Sequence, residues 1–167
     1  MNKAFVISKI LQHLKQELAN CKLAANNAHL AAIDEQSVAE TQYDTLAIES
    51  AYLAEGQSRR IAEFESAIED FHQLALQLAV PLVTTKETIK TVRLGSVVQL
   101  AEDLSHNNWF FLAPAAAGYR LSIDDKNFTV ITPKSPMGHA LLNKVVDDEI
   151  EVFLGNNKHV DDIIAIF

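Results

Sequence analysis

A chain of 167 residues with 14 Lys and Arg against 22 Asp and Glu carries a formal charge of −8. That balance excludes attachment to nucleic acid by bulk attraction, which needs a basic surface to displace counterions, so any nucleic-acid role has to come through a protein partner. A hydrophobic content of 49% excludes wholesale disorder and suits one domain or two small ones, and the single cysteine, Cys21, excludes an intrachain disulfide or a cysteine-based zinc site.

The opening segment "MNKAFVISKILQHL" has an apolar run broken by Ser8 and Lys9, too brief for a signal peptide. No stretch approaches the ~18 consecutive apolar residues of a spanning helix. A cytoplasmic protein with no membrane association is expected.

From Ile7 onward, apolar or small residues fall at Ile7, Leu11, Leu14, Leu18, Cys21, Ala25, Ala28 and Ala32, alternately four and three apart. This is the heptad seam of a coiled coil. A second seam runs through Ala47, Ser50, Ala54, Gln57, Ile61, Phe64, Ile68, Phe71, Ala75 and Leu78. No proline precedes Pro81, and the only glycine in this region is Gly56, so nothing forces an early stop. Large residues begin the first seam and end the second, with small ones between. An antiparallel hairpin over residues 1–80 superimposes those gradients, pairing bulky residues with bulky and small with small.

The tip of that hairpin is expected near residues 33–42, where "AAIDEQSVAETQYD" gathers Asp34, Glu35, Glu40 and Asp44. Ser37 followed three residues later by Glu40 is a capping box for the second helix. The acids suit a helix N-terminus and an exposed turn without any further role.

Beyond Pro81 the pattern changes to short stretches rich in β-branched and aromatic residues. "TIKTVRLGSVVQLAED", "NNWFFLAP", "GYRLSID", "NFTVITP", "DEIEVFLG" and "KHVDDIIAIF" each read as a strand bounded by Gly, Pro, Asn or Asp. "LGNNKHV" has the composition of a hairpin turn. In "WFF", alternation sends Trp109 and Phe111 to one face and Phe110 to the other. The expectation for 81–167 is a small, mostly antiparallel β-sheet domain with one inserted helix, and for the whole chain an α+β fold.

The inserted helix lies in "FTVITPKSPMGHALLNKVVDDEIEV", residues Phe128 to Val152. Ser135 is a good N-cap, and Pro136 suits the first helical position, where its missing N–H costs nothing. The helix should run two turns and close near Asn143, a residue that tolerates the left-handed conformation.

This order of elements resembles the bacterial Gre transcript-cleavage factors. In that family Ser-Pro is followed by an apolar helix, Gly-Lys, a Gly-Asp turn and a Val-rich strand. Here the corresponding positions read Ser135-Pro136-Met137-Gly138, Ala140-Leu141-Leu142, Asn143-Lys144, Asp147-Asp148 and Glu149-Ile150-Glu151-Val152. Asn143 and Asp147 stand where the family has glycines, and both residue types accept positive φ better than most. More loosely, "RLGSVVQL" is similar to the family's first strand, "KHVDDIIAIF" to its closing strand, and Tyr43, Glu55-Gly56 and Arg60-Ile61 to its second helix past the tip.

The resemblance implies an FKBP-like sheet domain that docks on the rim of the secondary channel of bacterial RNA polymerase, here through Ser135, Pro136 and Met137. It implies a coiled coil that passes down the channel toward the catalytic centre. In Gre factors a tip Asp and Glu help to hold a second Mg²⁺ and activate water, so that the polymerase cleaves its own backtracked RNA; carboxylates serve because Mg²⁺ prefers hard oxygen ligands. It further implies a monomer with no tightly bound cofactor. Such a chain is not an enzyme in its own right, meets RNA only inside the polymerase complex, and uses only Mg²⁺ at the polymerase active site.

The chain departs from the family at the tip. The pattern Gly-Asp-Leu-x-Glu-Asn-x-Glu-Tyr, aligned on Tyr43 without gaps, puts Gln36 and Ala39 in place of the two key acids. Neither does the work of a carboxylate. Three readings stay open: a channel-binding homologue that does not stimulate cleavage, a cleavage factor with a rearranged tip using Asp34, Glu35, Glu40 or Asp44, and a coiled-coil interaction protein with no polymerase role.

Other candidates are weaker. His13, His29, His72, His106, His139 and His159 are scattered without the spacing of a metal site. Ser135 and His139 lie four apart but lack a nucleophile elbow and a third partner. Arg59, Arg60, Lys86, Lys90 and Arg93 are the modest basic groupings, for which a solvated face is the default.

Overall fold

The computed structural model describes residues 2–35, 43–79, 90–103, 105, 107–155 and 157–167. Two long helices, α1 (Lys3–Glu35) and α2 (Tyr43–Ala79), precede six strands, β1 (Val97–Leu100), β2 (Asn108–Leu112), β3 (Arg120–Ile123), β4 (Lys126–Ile131), β5 (Glu149–Leu154) and β6 (Asn157–Ile166). The short α3 (Pro136–Leu141) lies between β4 and β5. The α+β organisation expected from the sequence, a helix hairpin followed by a sheet with one short helix, is therefore present. By its contacts the chain forms two units, Ser8–Glu69 and Met1–Ile7 with Asp70–Phe167.

The first unit is the body of the hairpin. Its buried residues are Ile10, Leu14, Cys21 and Ala67, with Leu11, Leu18, Ala25, Gln57, Ile61, Phe64 and Ile68 half-buried. Most of these lie on the two heptad seams, and Ile10 and Ala67 stand beside them, because one broad stripe of each helix meets its partner. Cys21 packs there as a small hydrophobe. Lys22 of α1 reaches Glu65 of α2 at 2.7 Å, tying the helices across the seam. Ala28, expected in the seam, is exposed.

The second unit is built on one sheet with strand order β3-β4-β2-β1-β6-β5. The sheet is mostly antiparallel, as expected, with one parallel pairing, that of β2 and β4 from Asn108↔Asn127 to Leu112↔Ile131. The reason is that two reversals separate them. After β2 the chain turns back into β3, and the two-residue turn of Asp124 (φ 48°) and Asp125 (φ 62°) returns it as β4. Because β4, not β3, lies next to β2, the two neighbours run the same way.

The long β6 serves two partners. Residues 157–162 pair with β5, and Ile163, Ala165 and Ile166 pair with β1. The register shifts between Gln99 and Leu100. Next to that irregularity the Asp161 carboxylate accepts the backbone N–H groups of Ala101 and Glu102, each at 3.0 Å, and Ala101 also donates to the Asp162 carbonyl at 3.0 Å, so the donors at the end of the ladder are satisfied.

Alternation gives the sheet two apolar faces. One packs Val98, Leu100, Leu112, Ile131, Ile150, Val152 and Ile163 with Val92 and Leu141, and Phe110 leans on it. Val97, Trp109, Phe111, Phe128 and Val130 are buried on the other. There Trp109 meets Phe167 edge-on, with ring centroids 5.4 Å apart, and the Lys126 ammonium lies 5.4 Å over the indole. The alternation expected of "WFF" thus holds, and both faces of β2 are covered.

Candidate functional site

The Ser-Pro corner between β4 and β5 is a locked turn. Ser135 has extended backbone geometry, φ −76° and ψ 151°, as an N-cap requires. Its Oγ accepts the N–H of Gly138 at 3.2 Å and donates to the Thr132 carbonyl at 2.8 Å, while the Thr132 N–H reaches the same oxygen at 3.3 Å. The Ser135 N–H donates to the Thr132 carbonyl as well, at 2.9 Å. One hydroxyl therefore fastens the end of the strand segment to the first turn of the helix, and it is not free to act as a nucleophile.

Gly138 makes this closeness possible. A Cβ there would overlap the Thr132 carbonyl oxygen and stand 2.7 Å from the carbonyl carbon, so only glycine lets the helix start so near the chain it has just left. Pro136 follows the cap at the first helical position and is exposed, while Met137 is half-buried against the sheet core. Leu141 is fully buried on the face toward the sheet. The corner thus presents Pro136 and part of Met137 on a base fixed by Ser135 and Gly138.

The helix ends as its residue types dictate. Leu142 is the C-cap, its N–H donating to the Gly138 carbonyl at 3.0 Å, and Asn143 then takes φ 65°. Asp147 takes φ 70° in the turn before β5. The Asp148 carboxylate accepts the Val145 N–H at 2.8 Å and tightens that turn. Asn143 and Asp147 thus both occupy the left-handed region that glycine would favour.

One part of this site escaped the sequence reading. Residues 90–96, expected to belong to a long first strand, form a turn beside it, with β1 confined to Val97–Leu100. Val92 is fully buried and is held to the end of α3 by two backbone bonds, Val92 N–H to the Lys144 carbonyl at 2.8 Å and Asn143 N–H to the Val92 carbonyl at 2.9 Å. The signal was a lone valine between charged residues in "KTVRLG", too short to show a period.

At the other candidate region, Asp34 and Glu35 close α1 and Asp44 is the second residue of α2. Their side chains, and all of Gln36, Ser37, Ala39 and Glu40, lie outside the described residues, and so does Lys86 among the basic candidates. Arg59 approaches Glu55 at 3.9 Å and Arg60 covers the Phe64 ring at 5.7 Å, both ordinary helix-surface contacts. Among the described residues, no three His, Cys, Asp or Glu side chains converge as metal ligands. No helix among them is long and apolar enough to cross a membrane.

Three solved structures resemble the chain along nearly all of its length. The transcription factor Gfh1 is 23% identical, with 93% of this chain and 92% of that chain covered and a TM-score of 0.38. Thermus aquaticus Gfh1 is 20% identical over the same shares, with a TM-score of 0.36. The GreA factor homolog 1 of Thermus thermophilus is 25% identical over 94% of each chain, with a TM-score of 0.36. No family model and no curated protein matches the chain.

Proposed function

We propose that this chain is a Gre-like regulator that binds the secondary channel of bacterial RNA polymerase. Its sheet unit docks at the channel rim through the exposed edge of the Ser135, Pro136 and Met137 corner. The tip acids Asp34, Glu35, Glu40 and Asp44 approach the active centre. With Gln36 and Ala39 where the family's metal-holding acids stand, the chain occupies the channel without supplying ligands for a second Mg²⁺. It is not an enzyme itself, and the only metal it meets is the Mg²⁺ of the polymerase.

One observation carries this reading. The segment from Phe128 to Val152 has the family's order of strand, Ser-Pro cap, short helix, turn and strand, and its two departures from that pattern, Asn143 and Asp147, adopt φ of 65° and 70°. Asn and Asp at these two positions serve the left-handed conformation that the resemblance would assign to glycine, which supports reading this corner as a Gre-like one.

The test is incubation of the purified protein with bacterial RNA polymerase stalled in a backtracked complex with Mg²⁺, measuring both binding and release of the cleaved RNA 3′ fragment. Binding without faster cleavage is expected. No binding at micromolar concentrations would sink the proposal. Binding with strong cleavage that Glu40→Ala or Asp34→Ala abolishes would replace it by a cleavage factor with a rearranged tip.

A further inference from the structure

Strands β5 and β6 turn one face to the core and the other to solvent. Ile150, Val152 and Ile163 are buried in the cluster with Leu141, so alternation sends Glu149, Glu151 and Phe153 outward from β5. Their directly opposite partners in the register, Asp162, Val160 and Lys158, point outward from β6. All six are exposed.

Phe153 is 63% exposed and Val160 38%. Phe153 stands opposite Lys158, and Val160 is the next outward residue of β6, so the ring and the valine are diagonal neighbours within reach of each other and form one apolar spot. Burial accounts for the apolar residues of the inner face. It does not account for these two.

Charge divides the same face into two ends. Beside the apolar spot, Lys158 pairs with Glu151 at 2.6 Å. At the other end Glu149 and Asp162 stand directly opposite each other, a like-charge pair that weakens the ladder, while the Lys144 amine is bonded to the Glu149 carbonyl. The face therefore carries an apolar spot and, four residues away along β5 or about 13 Å, a pair of carboxylates.

That layout selects the occupant. A nucleic acid or an anionic lipid surface is repelled by the carboxylates, and a second copy of the chain would bring the same negative face against this one. A small organic cation is too short to cover both ends. We infer that the outer face of β5 and β6, through Phe153 and Val160 at one end and Glu149 and Asp162 at the other, docks a basic amphipathic polypeptide segment of a partner protein. The contact is separate from the Ser-Pro corner and does not depend on polymerase binding.

Peptide titration of the full chain tests this. Amide spectra are recorded with three short peptides of equal length: leucine and lysine in amphipathic helical order, the same peptide with every lysine replaced by glutamate, and lysine alone. The leucine-lysine peptide should shift resonances of 149–153 and 158–162 to saturation, and the other two should bind there at least ~tenfold more weakly. Shifts spread over the acids of the helices, or equal binding at β5 and β6 by either control peptide, would overturn the inference.

Variants separate the apolar part from the charged part. Phe153→Ser should weaken peptide binding about tenfold, and Glu149→Gln combined with Asp162→Asn should weaken it by a similar factor and flatten its salt dependence. The carboxylate variant should melt at or above the temperature of the parent, so it reads binding even where Phe153→Ser is less stable. Asp124→Asn with Asp125→Asn removes the same charge from the turn after β3, at the opposite edge of the sheet, and should match the parent. Unchanged affinity in either face variant, or a dimer in sedimentation that Phe153→Ser dissolves, would overturn the inference.

Discussion

Gly138 lies so close to Thr132 that a β-carbon on the glycine would overlap the threonine carbonyl oxygen. The threonine carbonyl is held in place by the Ser135 N–H at 2.9 Å and the Ser135 hydroxyl at 2.8 Å, so it has no room to retreat. Gly138→Ala should therefore destabilise the sheet unit by about 2 kcal/mol or more, since the clash is with backbone and not with the end of a flexible side chain. Urea unfolding reads this directly, and a midpoint equal to that of the parent would show that the corner can relax.

Asn143 offers the complementary substitution. At φ 65°, glycine fits without strain, and Asn143→Gly should change stability by no more than ~0.5 kcal/mol. A β-branched residue cannot follow; Asn143→Val should cost about 1–2 kcal/mol by forcing a Cβ into the left-handed region. Equal unfolding midpoints for the two variants would contradict the role given to this helix end.

The turn before β2 should show in an acid titration. Asp103 Oδ1 accepts the Ser105 hydroxyl at 2.6 Å and the Asn108 side-chain amide at 3.0 Å, and Oδ2 accepts the Asn108 N–H at 2.6 Å. These bonds, that from the Ser105 hydroxyl foremost, lower its pKa from 3.8 to about 2. The folded state thus favours the ionised form. Its stabilising contribution is complete above pH 3.8 and is lost as pH falls through about 2. Carboxyl chemical shifts of Asp103 should report that low midpoint, and Asp103→Asn should flatten this part of the stability profile.

In the hairpin, burial should outweigh charge. Leu14 is 4% exposed in the seam, and Leu14→Ala should cost about 2–4 kcal/mol through lost burial and the cavity left behind. The Lys22–Glu65 pair is shorter than most at 2.7 Å, but both side chains are 53% exposed. Lys22→Ala should cost less than ~0.5 kcal/mol, because solvent screens the pair and two long side chains must be ordered to form it. Thermal unfolding of the two variants ranks the terms.

Particular residues show what the sequence made legible. The seams were readable because Leu14, Cys21 and Phe71 recur at coiled-coil spacing, and all three are buried. Val6, Ile10, Ala67 and Leu74 are buried as well although they lie off the strict heptad, because the buried stripe of a helix is broader than a two-position seam. Ser135 and Asn143 were readable as caps because capping is a local matter of one side chain and one dihedral angle. The parallel pairing of Phe111 with Val130 was not. Which strand lies next to which depends on contacts far apart in the chain, and no local pattern encodes them. The bond from Val92 to Lys144 was hidden for the same reason.

In the function proposed above, the tip of the hairpin reaches the polymerase active centre while the Ser-Pro corner holds the rim. The most direct measurement attaches a hydroxyl-radical-generating iron chelate to Asp34→Cys, Cys21 being buried, and maps the backbone cuts it makes in bacterial RNA polymerase. Cuts clustered around the active-centre elements, and weakened by Pro136→Ala combined with Met137→Ala, are the predicted result. Cuts confined to the outer surface, or none, would contradict the account.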